Sequence, residues 1–95
     1  MADPNSDATG TTEQEIRRLR WQCRRGMLEL DHLLLRFLDL GYRALDPPRR
    51  DAFAALLGHQ DQDLSDWFMS RRVPDDPGLR DLVRHVLSVA ALKAD

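Results

Sequence analysis

From Leu28 to Leu92 the large apolar residues recur at steps of three and four, and glycine or proline interrupts the pattern at intervals of no more than sixteen residues. This combination constrains the fold more than any other feature. A three-to-four step is the signature of a helix with one buried face. The interruptions at Gly26, Gly41, Pro47, Gly58, Pro74 and Pro77 cut the helical pattern into short pieces. No segment shows the alternating, β-branched pattern of a strand, and there is no internal repeat or low-complexity tract.

The helix boundaries follow from local chemistry. Thr12 with Glu15 makes a capping box, with Thr11 and Gln14 as an overlapping alternative, so a first helix is expected from about Glu13 to Arg25. Its buried side holds Ile16, Leu19 and either Cys23 or Trp21, and Gly26 is its stop. The second begins near Leu28, carries Leu30, Leu33, Leu34, Phe37 and Leu38 as its stripe, and ends or frays at Gly41. Asp46-Pro47 restarts the chain as a third helix, with aspartate as N-cap and proline at the first helical position. That helix buries Phe53, Leu56 and Leu57 and stops at Gly58. A short fourth follows Asp61 and presents Leu64, Trp67 and Phe68. After Val73-Pro74-Asp75-Asp76-Pro77, the last helix shows Leu79, Leu82, Val83, Val86, Leu87 and Ala90. The predicted fold is all-α, a small five-helix antiparallel-type bundle formed by residues 12–92. Residues 1–11, rich in Asp, Asn, Ser, Thr and Gly, are expected to be a disordered lead-in, and 93–95 the C-terminal end.

A chain of 95 residues supports one modest core. One cysteine, Cys23, rules out an internal disulfide and a cysteine-based zinc site, so packing must supply the stability. No apolar run approaches the ~20 residues that cross a bilayer. The polar, acidic start is unlike a secretory signal or an Arg-rich transit peptide. Thirteen arginines against one lysine, with abundant Ala, Asp and Leu, suggest a GC-rich bacterial source, and the expected location is the bacterial cytoplasm.

The net charge of −2 hides an uneven distribution. Residues 16–50 hold nine arginines against four acids, while 51–95 carry an excess of acids. Arg17, Arg18, Arg20, Arg24 and Arg25 crowd the first helix, but a pI near 5.9 argues against a nucleic-acid binder. His59, Asp61, Asp63, Ser65 and Asp66 suggest the start of a calcium loop. However, Asp66 and Arg72 stand where such a loop needs glycine and glutamate, so helix capping explains these residues better. Cys23 has no local base that would make it a nucleophile and reads as a buried structural thiol. There is neither a Gly-rich phosphate loop nor a nucleophile elbow, so catalysis has little support.

The most informative segment is Trp21-Gln22-Cys23-Arg24-Arg25-Gly26-Met27-Leu28-Glu29-Leu30-Asp31. Gly26 breaks one helix and Glu29 falls in the first turn of the next, so Arg25 and Glu29 flank one tight turn and can present opposite charges side by side. On chemistry alone this is a glycine C-cap, a carboxylate on a helix dipole and a surface ion pair worth under ~1 kcal/mol.

The same segment resembles the signature of the SdhE-type flavinylation factors, also called succinate dehydrogenase assembly factor 2. Their Arg-Gly-x-x-Glu hallmark is matched by Arg25, Gly26 and Glu29, and Trp21, Cys23, Arg24, Met27, Leu30 and Asp31 also look like the family. A second block, Asp61 to Met69 followed by Pro74, is similar to the family's Asp-Leu-x-x-Trp region. The likeness spans roughly Glu13 to Leu92 and leaves out the polar lead-in.

The resemblance implies a five-helix bundle that is not itself an enzyme. It implies a factor that binds the flavoprotein subunit of succinate dehydrogenase, or of fumarate reductase in some bacteria, and promotes covalent attachment of FAD to a histidine of that subunit. Arg25 and Glu29 would make charge-assisted contacts near the partner's flavin region, and Gly26 would set the turn. Trp21, Met27 and Asp31 would line the surrounding surface. No stably bound cofactor, metal, nucleic acid or membrane insertion is expected, and the factor is expected to be a monomer. The alternative is a helical protein-interaction adaptor with no flavin link.

Overall fold

The computed structural model describes the backbone of residues 4–92 and the side chains of residues 12–90. Five α-helices follow in order: α1 (Pro4–Gln22), α2 (Leu28–Leu40), α3 (Pro47–Leu56), α4 (Asp61–Phe68) and α5 (Pro77–Leu92). No strand occurs among the described residues. The architecture is therefore the expected small all-α bundle.

Helix α2 is the centre of the bundle and packs against α1, α4 and α5. Four members of its apolar stripe, Leu30, Leu34, Phe37 and Leu38, are buried, while Leu33 is half-buried. They meet Phe53 and Leu56 from α3, Leu64 and Phe68 from α4, and Leu82, Val83 and Val86 from α5. Phe37 is the hub, with its ring 5.2 Å from Phe53 and 5.8 Å from His85.

Both Asp-Pro restarts are realised. Asp46 Oδ1 accepts the Arg49 N–H at 3.1 Å, and Asp76 Oδ2 accepts the Leu79 N–H at 2.9 Å. Each carboxylate thereby satisfies an amide that has no partner inside its helix.

The backbone departs from the expectation in three places. Helix α1 begins at Pro4 rather than near Glu13, so it takes in most of the lead-in to which composition assigned no structure. Proline fits that first position, where its missing N–H costs nothing and its φ is already helical. Residues 1–3 and 93–95 lie outside the described residues. At the other end α1 stops at Gln22 instead of Arg25. Gly41 ends α2 as expected, with φ −127°. Its reason is room: a Cβ there would stand 2.6 Å from Phe37 Cε1 and 3.1 Å from Val89 Cγ1. A 3-10 turn at Tyr42–Ala44 then links α2 to α3, with Tyr42 buried and its hydroxyl 3.1 Å from Glu15 Oε1.

The end of α4 is a Schellman closure. The Arg71 N–H donates to Asp66 O at 2.7 Å and the Ser70 N–H to Trp67 O at 3.4 Å, with Ser70 at φ 64°. Glycine usually holds that left-handed position, because any Cβ there costs roughly 1–2 kcal/mol. Ser70→Gly is accordingly expected to raise stability by about 0.5–1 kcal/mol after glycine's greater unfolded-state entropy is offset. The check is the urea midpoint at unchanged slope.

Of the two candidates for the inner face of α1, Cys23 is fully buried and Trp21 is 73% exposed. Burial pushes the Cys23 thiol from its ordinary 9.0 up to about 12, so it is inert as a nucleophile at neutral pH. A thiol whose folded pKa is raised contributes stability in full below its unfolded value, and that stability is lost as pH rises through the folded one. Alkaline unfolding should therefore set in above pH 9 and deepen toward pH 12. Cys23→Ala should flatten that part of the stability–pH curve measured by denaturant titration.

Candidate functional site

The turn between α1 and α2 is held by one carboxylate and one guanidinium. After α1 ends, Gly26 takes φ +83° and reverses the chain, and Met27 enters α2 extended with no side-chain cap. The capping role falls to Asp31, in the first turn of α2. Its Oδ1 accepts the Arg25 N–H at 2.8 Å and its Oδ2 the Gly26 N–H at 3.1 Å. Two amides that the turn would otherwise leave bare are thus satisfied by one side chain, placed where a helix N-terminus favours negative charge.

Arg25 points inward, not outward. Its side chain is 15% exposed. Nη1 donates to Gln22 O at 3.1 Å, and Nη2 donates to Leu57 O at 2.7 Å and His59 O at 2.6 Å. Its buried Nε lies 3.0 Å from Asp61 Oδ1, an ion contact outside hydrogen-bonding geometry. The guanidinium fork therefore ties the end of α1 to the α3–α4 turn and to the first residue of α4. Arginine suits this place because it offers several donors in one rigid plane.

The expected side-by-side Arg25–Glu29 pair is not formed. Arg25 is drawn to Asp61 and two main-chain carbonyls, whose combined geometry outcompetes a single solvated carboxylate. Glu29 is exposed and, among the described residues, has no ion pair or hydrogen bond. It shares a shallow depression of about 270 Å³ with Met27, Leu28, Met69 and Arg71. On its floor Arg71 Nη2 donates to the buried Ser65 hydroxyl at 2.8 Å, while Arg71 Nε lies 3.2 Å from Asp66 Oδ1.

Around this turn the surface is unusually apolar for its charge. Trp21 carries the Arg24 guanidinium at 5.6 Å from its ring centre. Leu28 is 71% exposed. No Cβ clash awaits at Gly26, where nothing comes within 4 Å, so its outer face is open to an approaching backbone. Arg25, Gly26, Met27, Glu29 and Asp31 therefore meet in one turn, with Trp21 on the exposed flank of α1. Of these, Arg25 and Asp31 build the turn, while Glu29 and Trp21 face solvent.

Sequence reasoning missed four participants. Leu28 could have been found, because it falls on the opposite side of α2 from the Leu30–Leu34–Phe37 stripe. Asp61 and the carbonyls of Leu57 and His59 gave no signal, since they reach Arg25 only through the tertiary fold. The acids weighed as metal ligands are engaged with arginines instead: Asp61 with Arg25, Asp63 and Asp66 with Arg72 at 2.6 and 3.0 Å. The Arg72 guanidinium, joined by Arg71 and Gln62, holds the Asp66 carboxyl below its usual range.

These features define a class: a small all-α bundle whose candidate site is a rigid, solvent-facing turn rather than an enclosed pocket. The chain belongs to the family described as the flavinator of succinate dehydrogenase, whose sequence model matches residues 17–90. It is 48% identical to the FAD assembly factor SdhE of Pseudomonas aeruginosa over 75 residues, which is 79% of this chain and 89% of that protein. It is 40% identical to the FAD assembly factor SdhE of Colwellia psychrerythraea over 83 residues, 87% of this chain and 91% of the relative. The protein of the same description from Pasteurella multocida is 37% identical over 75 residues, 79% of this chain and 89% of that protein. No solved structure matches the chain.

Proposed function

We propose that this chain is an assembly factor that docks on the flavoprotein subunit of succinate dehydrogenase and promotes covalent attachment of its FAD. The family match over residues 17–90 supports the role, and the observation that carries the site is the exposed, uncommitted carboxylate of Glu29 on a turn locked from within. A carboxylate without an internal partner loses nothing inside the bundle when it meets a cation on another protein. Trp21 and Leu28 supply apolar area beside it, of the kind that dominates binding energy at interfaces.

In this reading the factor performs no chemistry of its own and holds no stably bound FAD. It favours the arrangement of the apo-subunit in which flavin and acceptor histidine are aligned, and its effect is limited by its differential affinity for that arrangement. Arg25, Gly26 and Asp31 act by shaping the turn, and Glu29, Met27 and Trp21 by contact. Bacterial relatives support a bacterial cytoplasmic setting. Among the described residues no helix is long and apolar enough to cross a membrane.

The test is in-gel flavin fluorescence of a co-expressed succinate dehydrogenase flavoprotein subunit, denatured so that only covalent FAD remains. With FAD and dicarboxylate limiting, fluorescence should be strong with the intact chain and weak without it. Glu29→Ala should lower it about tenfold, the loss of one charge-assisted contact, while its urea midpoint stays within error of the parent. Equal fluorescence in all three strains would remove the flavin role and leave a general adaptor. Unfolding of Glu29→Ala would remove the contact role.

A further inference from the structure

The turn from Met69 to Pro74 serves two faces. Met69 and Arg71 line the depression beside Glu29, whereas Ser70, Arg72, Val73 and Pro74 line a second cleft of about 180 Å³. Its far wall is the flank of α5 that carries Arg80, Val83, Arg84 and Leu87. No carboxylate is among its lining residues.

The charges around this cleft are unevenly answered. Arg72 is engaged by Asp63 and Asp66. Among the described residues Arg80 donates only to neutral carbonyls, Pro74 O at 3.3 Å and Asp75 O at 3.2 Å. Arg84 is exposed and has no ion pair among the described residues. Two guanidinium charges therefore face a partly apolar cleft, and no carboxylate among the described residues is paired with either. Trp67, in the wall, is 9% exposed, and its buried indole N–H has no acceptor among the described residues. A buried donor left unmade costs about 1–3 kcal/mol. Ser70, at φ 64°, adds a strained residue to the same lining, and strain of this kind concentrates where a surface has a task.

We propose that this cleft docks a carboxylate side chain carried on an acidic, leucine-flanked peptide segment of a protein partner. Arg80 and Arg84 set the sign of the ligand. Val73 sets its size: it stands 64% exposed at the cleft, where a free small acid would leave it in water and a flanking aliphatic side chain would cover it. The inference does not depend on the flavin role, since it requires only a partner with such a segment.

The test follows the two indole N–H signals of the full chain by 15N–1H NMR. The probes are acetyl-Leu-Asp-Glu-Leu-amide, its Asn-Gln counterpart, and sodium succinate, all at matched ionic strength. The acidic peptide should shift the Trp67 indole signal and leave that of Trp21 in place. Arg84→Gln, which removes an exposed and unpaired side chain, should weaken binding about two- to fivefold without touching the fold. Val73→Ser should weaken the peptide but not succinate. Equal shifts from the Asn-Gln peptide, succinate binding as well as the acidic peptide, a shift at Trp21 instead, or unchanged affinity in Arg84→Gln would each overturn the proposal.

Discussion

Arg25→Ala is expected to lower the unfolding free energy by about 2–4 kcal/mol, mainly because two part-buried main-chain carbonyls lose a charged donor, the half-exposed Asp61 contact adding little. The substitution leaves the carbonyls of Leu57 and His59 without donors and Asp61 without its cation. Arg25→Lys keeps the charge but cannot reach both carbonyls and Gln22 O from one plane, and should lose roughly half as much. Urea unfolding at constant slope measures both. Flavinylation should fall in Arg25→Ala as well, because the turn that presents Glu29 loosens. The hallmark arginine and glutamate are then separable: one variant loses fold and function together, the other function alone. An unchanged midpoint in Arg25→Ala would mean that the inward fork contributes nothing to the turn.

Phe37→Ala should be comparably damaging, about 3–5 kcal/mol for removing a buried aromatic ring that its surroundings cannot replace. Phe37 is fully buried between α3 and α5, in ring contact with Phe53 and His85. The void would open next to Gly41, whose missing Cβ is what makes room for the ring. Gly41→Ala alone overpacks that spot and should cost about 1–3 kcal/mol. In the Phe37→Ala background the same change finds space, so the double variant should be clearly less damaged than the sum of the singles. Strict additivity in that cycle would show that the two sites do not share the volume.

The parts of the fold written in local chemistry could be read directly. Asp46-Pro47 and Asp76-Pro77 cap helices through bonds three residues long, and the stripe of α2 repeats within a few turns, so neither needs knowledge of the rest of the chain. The 3-10 turn at Tyr42–Ala44 was not legible, because Tyr42 is placed by Glu15 and by the Arg50 guanidinium 5.6 Å from its ring. The choice between Trp21 and Cys23 depended on how far α1 rotates against α2, which periodicity alone leaves open. At the site, Gly26 and its left-handed turn were readable from residue type, and so was the exposure of Glu29. The direction of Arg25 was not. A guanidinium next to a glutamate on paper is also, once the chain is folded, within reach of two carbonyls and an aspartate more than thirty residues away.

That distance along the chain has a kinetic meaning. Asp31 holds the α1–α2 turn through local bonds, but the Arg25 side-chain contacts that lock it close loops of 32 and 34 residues, so their entropy must be met before the turn gains anything from them. Helices α1 and α2 and the Asp31 cap can form from local signals, but the Arg25 lock on the turn closes only when the α3–α4 turn has arrived. Substitutions at Arg25 should accordingly speed unfolding far more than they slow folding. The lock on this turn is in that sense a seal applied last: a nascent or truncated copy lacking the second half of the chain carries the whole Arg-Gly-x-x-Glu sequence but none of the groups that pin its arginine across the fold.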